Sequence, residues 1–192
     1  MIKYLLVTFI GISVYTQAQE IGTFKDSRDG ITYQTVKIGT QVWFAENLNF
    51  KTKGSWCYND SSINCESYGR LYFSLESAKI ACPVGWHIPT KEEFEILVNF
   101  LGGAYKAGSM LKKGGGSGFN ALVTEHPMEK YDQTFVGMGI YGHFWTSTIQ
   151  PLFDSPYQLT LFSNMSIIQF KLALSTKNVR NFTGYSVRCI KD

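Results

Sequence analysis

Between Gly22 and Phe44 apolar and polar positions alternate with the period of two that a half-buried strand requires. Phe24 comes first, then Tyr33, Val36 and Ile38, then Val42 and Phe44. Asp29-Gly30 and Gly39-Thr40 stand where the chain would reverse, so this stretch predicts a small antiparallel meander. The period then lengthens. Phe94, Leu97, Val98 and Leu101 follow the i, i+3, i+4, i+7 spacing of one helical face. Thr90 and Glu93 sit three apart, as a capping box needs, and Gly102-Gly103 closes the pattern, which predicts an amphipathic core helix. A shorter helix is predicted from Leu75 to Cys82, with Ser74 as N-cap, Leu75, Ala78 and Cys82 on one face and Pro83 as its stop. Trp43 to Leu48 leads into a polar loop rich in Asn, Asp and Ser, and from Ala104 onward the pattern reads as loops and short strands. Gly114 to Gly118 is a flexible turn before Phe119 to Val123. Gly184 to Ile190 alternates again and predicts a terminal strand with Tyr185, Val187 and Cys189 on one face.

The opening of the chain follows a different rule. Lys3, an apolar run from Tyr4 to Val14 and the small-residue triplet Thr16-Gln17-Ala18 have the order of an export signal cleaved before Gln19. The expected organisation is therefore a leader over residues 1–18 and a single domain over residues 19–192. The apolar run is about half of the ~20 residues that cross a bilayer, so no membrane span is expected in the mature protein. No cysteine follows the cleavage point to carry a lipid. Export to the periplasm, the cell surface or the medium follows, and with it an oxidising compartment for Cys57, Cys65, Cys82 and Cys189.

Four cysteines allow three connectivities. Cys57 and Cys65 flank a turn-forming segment and are paired, which leaves Cys82 for Cys189. A zinc site is disfavoured because the chain has no C-x-x-C pair. Composition agrees with one folded domain: of 192 residues 44% are hydrophobic and 17% charged, which excludes disorder. The formal charge of +3 is small and scattered, which argues against nucleic acid as a partner. Aromatic residues at 15%, with 18 glycines, point to strands and turns.

The chemistry-bearing residues do not assemble into a reactive motif. His87, His126 and His143 are isolated, Ser147 lacks a nucleophile elbow, and Glu92, Glu93 and Glu95 suit the dipole and solvated face of a capped helix. His87, in the Trp86-His87-Ile88-Pro89 corner, reads as a hydrogen-bonded structural residue. Asp26-Ser27-Arg28-Asp29-Gly30 reads as a turn, since Arg28 would repel a calcium ion, and the Gly114–Gly118 run lacks the Lys-Ser/Thr end of a phosphate loop. No catalytic residue, metal or cofactor is expected. Recognition fits better. Tyr141, His143, Asp154, Tyr157, Gln158 and Asn164 mix rigid aromatic platforms with short polar groups in a Gly- and Pro-punctuated region, and they are the expected ligand contacts. Tyr141, His143 and Asp154 are expected to be exposed, and Trp145 to be core.

The Ala78-to-Cys82 helix, the capped helix after it and the terminal Val187-Arg188-Cys189 resemble the framework of C-type lectin-like domains. More specifically, the chain resembles the Fibrobacter succinogenes major paralogous domain family of exported bacterial proteins. The stretches that carry this are Gly22-Thr23-Phe24 with Asp26 and Arg28-Asp29-Gly30, Gln41-Val42-Trp43, Ala45-Glu46-Asn47-Leu48-Asn49, Trp56-Cys57-Tyr58-Asn59, Tyr68-Gly69-Arg70-Leu71-Tyr72, Ala81-Cys82-Pro83 with Gly85-Trp86-His87, Gly118-Phe119-Asn120-Ala121-Leu122, Phe144-Trp145-Thr146-Ser147-Thr148 and Ser186-Val187-Arg188-Cys189. The resemblance implies an α+β, C-type lectin-like fold with two helices, twisted antiparallel sheets, long loops and two disulfides. Formylglycine-generating enzymes and the hypervariable ligand-binding proteins of diversity-generating retroelements share that fold. Calcium-dependent sugar motifs such as Glu-Pro-Asn are absent from this chain. The function expected is non-catalytic binding of an extracellular ligand, a polysaccharide or a surface protein or peptide. A structural or adhesive role comes second, and an enzyme related to the formylglycine-generating group third.

Overall fold

The computed structural model describes residues 19–123, 141–165, 168–172 and 184–192; the leader and His126 lie outside them. The expected meander forms β1 (Glu20–Lys25), β2 (Thr32–Ile38) and β3 (Gln41–Phe44), all antiparallel. The turn between β1 and β2 is fastened by chemistry. The carboxylate of Asp26, fully buried, accepts the Arg28 main-chain N–H at 3.0 Å and its guanidinium Nη2 at 2.6 Å. Arg28 in turn donates to the carbonyl of Ala81 at 2.6 Å and lies 3.7 Å over the Phe50 ring. The Asp26 carboxylate is therefore already occupied, which agrees with a turn.

The polar loop that follows is more structured than its sequence suggests. β4 (Ser55–Trp56) pairs with β5 (Leu71–Tyr72), and between them stand a 3-10 turn, Tyr58–Asp60, and a helix, α1 (Ser62–Tyr68). Only Cys65 of α1 is buried, so no amphipathic stripe announces this helix. The Cys57–Cys65 disulfide ties it to the loop instead. Next come α2 (Leu75–Lys79), the short strand β6 (Trp86–His87) and α3 (Lys91–Phe100). Ser74 and Thr90 cap the two helices as expected, and Ser74 adds an unforeseen capping box with Ser77; in α3, Thr90 accepts from the Glu93 N–H while Glu93 accepts from the Thr90 N–H. α2 ends at Lys79, so Cys82 lies beyond the helix rather than on its buried stripe.

A fourth helix, α4 (Ala104–Leu111), occupies a stretch expected to be loop. Ala107, Gly108 and Leu111 form its buried face, and its content of Gly and Ser masks it at the level of propensity. Four helices, not two, therefore accompany the strands among the described residues. A three-stranded antiparallel sheet follows, made of β7 (Tyr141–Gln150), β8 (Ser155–Phe162) and β9 (Ile168–Leu172). The chain returns to the first sheet as β10 (Ile190–Lys191), which lies between β3 and β6 and completes the order β1-β2-β3-β10-β6.

Two apolar clusters hold these layers. Val36, Ile38 and Trp43 of the five-stranded sheet pack with Phe94, Leu97 and Val98 of α3, Ala107 and Leu111 of α4, and Phe144, Leu159 and Leu161 of the three-stranded sheet. Each Val, Leu, Ile or Phe among them is worth roughly 1.5–3 kcal/mol when fully buried. The second cluster joins Tyr33, Phe44, Leu48, Tyr72, Trp86, Trp145, Tyr185, Val187 and Cys189. The terminal segment is locked into it: Phe44 N–H donates to Cys189 O and Leu48 N–H to Val187 O, both at 2.9 Å, and Cys82 is bonded to Cys189. Both disulfides pair as expected, and Tyr185, Val187 and Cys189 share one cluster, although the strand expected from Gly184 to Ile190 is reduced to β10 and isolated bridges at Tyr185 and Ser186.

Candidate functional site

The residues selected from sequence as ligand contacts do not form one surface. Tyr141 is half-buried and stacks on His143, with ring centroids 5.7 Å apart. His143 is only 8% exposed; its Nδ1 lies 3.1 Å from Thr160 Oγ1 and its ring meets the edge of Tyr185. Gln158 is 5% exposed and stands opposite Trp145 in the β7–β8 ladder. The expectation that His143 is exposed is thus corrected. It faces the second cluster, where an aromatic neighbour on each side excludes water. Tyr157, one residue from Gln158, takes the opposite face of the strand, where Lys91 of α3 approaches its ring at 5.6 Å. Asp154 and Asn164 are both exposed but cap opposite ends of β8. At roughly 3.3 Å per residue they are on the order of 25–30 Å apart. Trp145 is core, as expected, at 2% exposure, with Nε1–H donating to Tyr72 O at 2.8 Å.

His87 and the carboxylates of α3 are held in internal contacts. His87 has a carboxylate on each ring nitrogen, Asp192 at 2.6 Å from Nδ1 and Glu93 at 3.0 Å from Nε2. Burial pulls its pKa down, but the hydrogen bonds to Asp192 and Glu93 outweigh that and raise it above the ordinary value. Because the two carboxylates lie on opposite nitrogens, the trio cannot converge on one ion. Among the described residues no group of three or more His, Cys, Asp or Glu is arranged to hold a metal. Glu93 is engaged by His87 and Thr90, Glu92 accepts from Thr148, and Glu95 pairs with Lys91, so the expected solvated face is in part a hydrogen-bonded one.

A concave surface lies elsewhere, beside the Cys57–Cys65 loop. Two adjoining cavities, of about 330 and 310 Å³, share Ile31, Asn49, Cys65 and Glu66 and so form one groove. The first runs between Tyr33 of β2, the Glu46–Asn49 segment, the end of α1 at Tyr68-Gly69, and Lys113 and Asn120. The second is bounded by Asp29, Phe50, Lys51 and Arg70. Asn47 makes the rear wall: its Nδ2 donates to Tyr68 O at 2.9 Å and to Ser186 Oγ at 3.1 Å, while its Oδ1 accepts from Arg188 Nη2 at 2.7 Å. Gly69 is required there. With φ at +78°, a Cβ on it would come within 2.7 Å of Asn47 Cβ.

Arg188, fully buried, spans the back of the groove. It donates to the carbonyls of Phe44 and Phe119 and lies 4.4 Å over the Phe119 ring. Arg188 thus fixes both Asn47 and the Phe119-Asn120 segment that flanks the opening. Asn49 donates its N–H to the Tyr33 hydroxyl and accepts Arg70 Nε on its carbonyl, at 3.1 and 3.2 Å. Its buried Oδ1 meets no donor among the described residues. Leaving such an acceptor unsatisfied costs about 1–3 kcal/mol, which a water or a ligand donor would recover. Burial also pushes the Tyr33 phenol well above its ordinary pKa, so it stays a neutral hydroxyl, which accepts the Asn49 N–H. The ring of Tyr33 is stacked on Phe44 at 4.7 Å, and that of Phe50 lies beneath Arg28.

Sequence reasoning missed this groove because its walls come from four separated stretches. The available signal was the density of amides and carboxylates in Glu46-Asn47-Leu48-Asn49 and Glu66-Ser67-Tyr68. No curated protein and no solved structure matches the chain. The profile of the Fibrobacter succinogenes major domain matches residues 36–191, a span that includes the groove walls from Ala45 onward, both disulfides and the terminal Arg188. The chain belongs to the Fibrobacter succinogenes major domain family.

Proposed function

We propose that this protein is a non-catalytic recognition module acting outside the cytoplasm, secreted, periplasmic or at the cell surface, and that its ligand lies in the groove beside the Cys57–Cys65 loop. The observation that carries this reading is the groove itself: a two-cavity depression in which Asn49 Oδ1 and the Glu66 carboxylate have no partner among the described residues. Pre-formed concave sites with a few convergent polar groups are the usual places for ligands. Two disulfides support the compartment. The terminal strand β10, inserted between β3 and β6 and bonded through Cys189 to the end of the α2 segment, supports a C-type lectin-like arrangement.

A second reading has one observation in its favour. Ile149, Leu152 and Phe153 at the β7–β8 tip are 44%, 86% and 64% exposed, an apolar cap suited to contact within an adhesive assembly. The test is a screen of the oxidised protein, residues 19–192, against glycan arrays and surface-protein extracts, with and without chelator. Ser67→Trp, which fills the groove from an exposed position, should abolish any binding found, with the melting temperature unchanged. Tyr141→Ala and Asp154→Ala should leave it intact. Loss with Leu152→Ser and Phe153→Ser but not with Ser67→Trp would instead favour the assembly role.

A further inference from the structure

We infer that the groove takes an extended peptide segment bearing a basic side chain at its centre, flanked by acidic or neutral residues. The inference rests on the groove being the binding site. Its first support is the order of charge along the groove. Glu66 belongs to both cavities and stands at their junction, exposed and in no ion pair among the described residues. Lys113 lines the first cavity alone, and Lys51 and Arg70 line the second alone. Two other carboxylates keep their charge in the lining while each accepts one main-chain N–H: Glu46 in the first cavity from Gln34 and Asp29 in the second from Ile31, each at 3.0 Å. Glu66 at the junction is therefore the lining carboxylate with no hydrogen-bonded partner among the described residues, with Lys113 to one side and Lys51 and Arg70 to the other, and its complement is a Lys or Arg in the middle of a bound chain.

The second support is the kind of surface between those charges. A peptide backbone offers alternating N–H donors and C=O acceptors, and an amide side chain can answer both. Asn49 lies in both cavities with an unsatisfied acceptor, and Asn120 lines the first. Of the rings that line the groove, Tyr33 and Phe50 each have one face covered, by Phe44 and Arg28, which leaves Tyr68 as the ring on which an oligosaccharide could stack. The groove is also elongated through two cavities rather than closed around one. An extended strand fits that shape.

The experiment is selection of a phage-displayed random heptapeptide library on the oxidised protein, with a panel of neutral oligosaccharides as competitors. Enriched peptides should carry Lys or Arg near the centre, and Ser67→Trp should remove their binding. Glu66→Lys, an exposed change that should leave the melting temperature in place, should weaken the selected peptides by about tenfold or more and turn selection toward acidic centres. No enrichment, or enriched peptides indifferent to Glu66→Lys, would overturn the inference. Should an oligosaccharide bind the wild type and be lost in Ser67→Trp, the peptide class is wrong while the groove still stands as the site. Binding of any probe that survives Ser67→Trp removes both.

Discussion

Replacing Arg188 should unfold the molecule more readily than any other single polar change, and the groove should fail with it. The guanidinium is fully buried and donates to Phe44 O at 3.2 Å, to Asn47 Oδ1 at 2.7 Å and to Phe119 O. A charged hydrogen bond is worth roughly 1.5–3 kcal/mol, so three would sum to about 4.5–9 kcal/mol. That sum overstates the effect, because Arg188→Met also removes the desolvation of the charge and keeps the contact with Phe119 and Phe144. What remains is the burden of three acceptors stripped of a donor, and a net loss of about 3–5 kcal/mol is expected. For a domain of this size each kcal/mol lowers Tm by roughly 2–4 °C, which predicts a drop of about 6–20 °C. Arg188→Lys should do little better, since a compact ammonium cannot span Asn47 on one side and Phe119 on the other as the planar fork does. Urea and thermal unfolding of the oxidised variants measure this directly. If both stay within about 1 kcal/mol of wild type with an unchanged m-value, Arg188 does not bind the terminal segment to the groove wall as argued.

Trp145→Ala should cost roughly 3–5 kcal/mol as a core cavity. Trp145→Phe should cost only about 1–2, because Tyr72 O also accepts the Tyr185 N–H at 3.1 Å and is not orphaned; equal losses in urea melts would refute that distinction. On the capped helix, Leu97→Ala should lose about 2–5 kcal/mol against about 1 for Thr90→Ala. Non-reducing peptide mapping should show Cys57 joined to Cys65 and Cys82 to Cys189. Removing the second pair, which closes a span of 107 residues, should destabilise more than removing the first, by about 4–5 against 2–3 kcal/mol in the chain-entropy model. The folded-state pKa of His87 is raised, so its contribution is fully present below the unfolded value near 6.5 and fades as pH climbs through the higher folded value. Stability measured across pH 6–8.5 should therefore fall with pH more steeply in wild type than in His87→Gln, and parallel curves would count against the Asp192–His87–Glu93 bridge.

Elements whose stability is local or periodic were readable along the chain. The β1–β3 meander and α3 announce themselves because strand and helix expose one face to water and bury the other, and that division is written at fixed spacing in Phe94, Leu97, Val98 and Leu101. The capping boxes are contacts within four residues. The disulfides followed from counting and from the turn-rich segment between Cys57 and Cys65. Trp145 was placed in the core on the size and company of its side chain, and family membership needed only ordered motifs.

What depends on distant neighbours was not readable. α1 is held by a disulfide and α4 by packing on β9 and α3, neither of which leaves a stripe that outweighs poor helix propensity. His143 and Gln158 carry the chemistry of a recognition surface, but a polar residue is buried or exposed according to what covers it. Here Tyr141, Thr160 and Tyr185 supply His143 with rings and a hydrogen bond that water would otherwise offer. The groove is the extreme case. Ile31, Asn49, Glu66 and Lys113 become neighbours only when the terminal segment returns and Arg188 draws Asn47 and Phe119 to one centre. The composition of a stretch decides which groups are available for binding; closure of the chain, over separations of 141 and 69 residues, decides which of them meet.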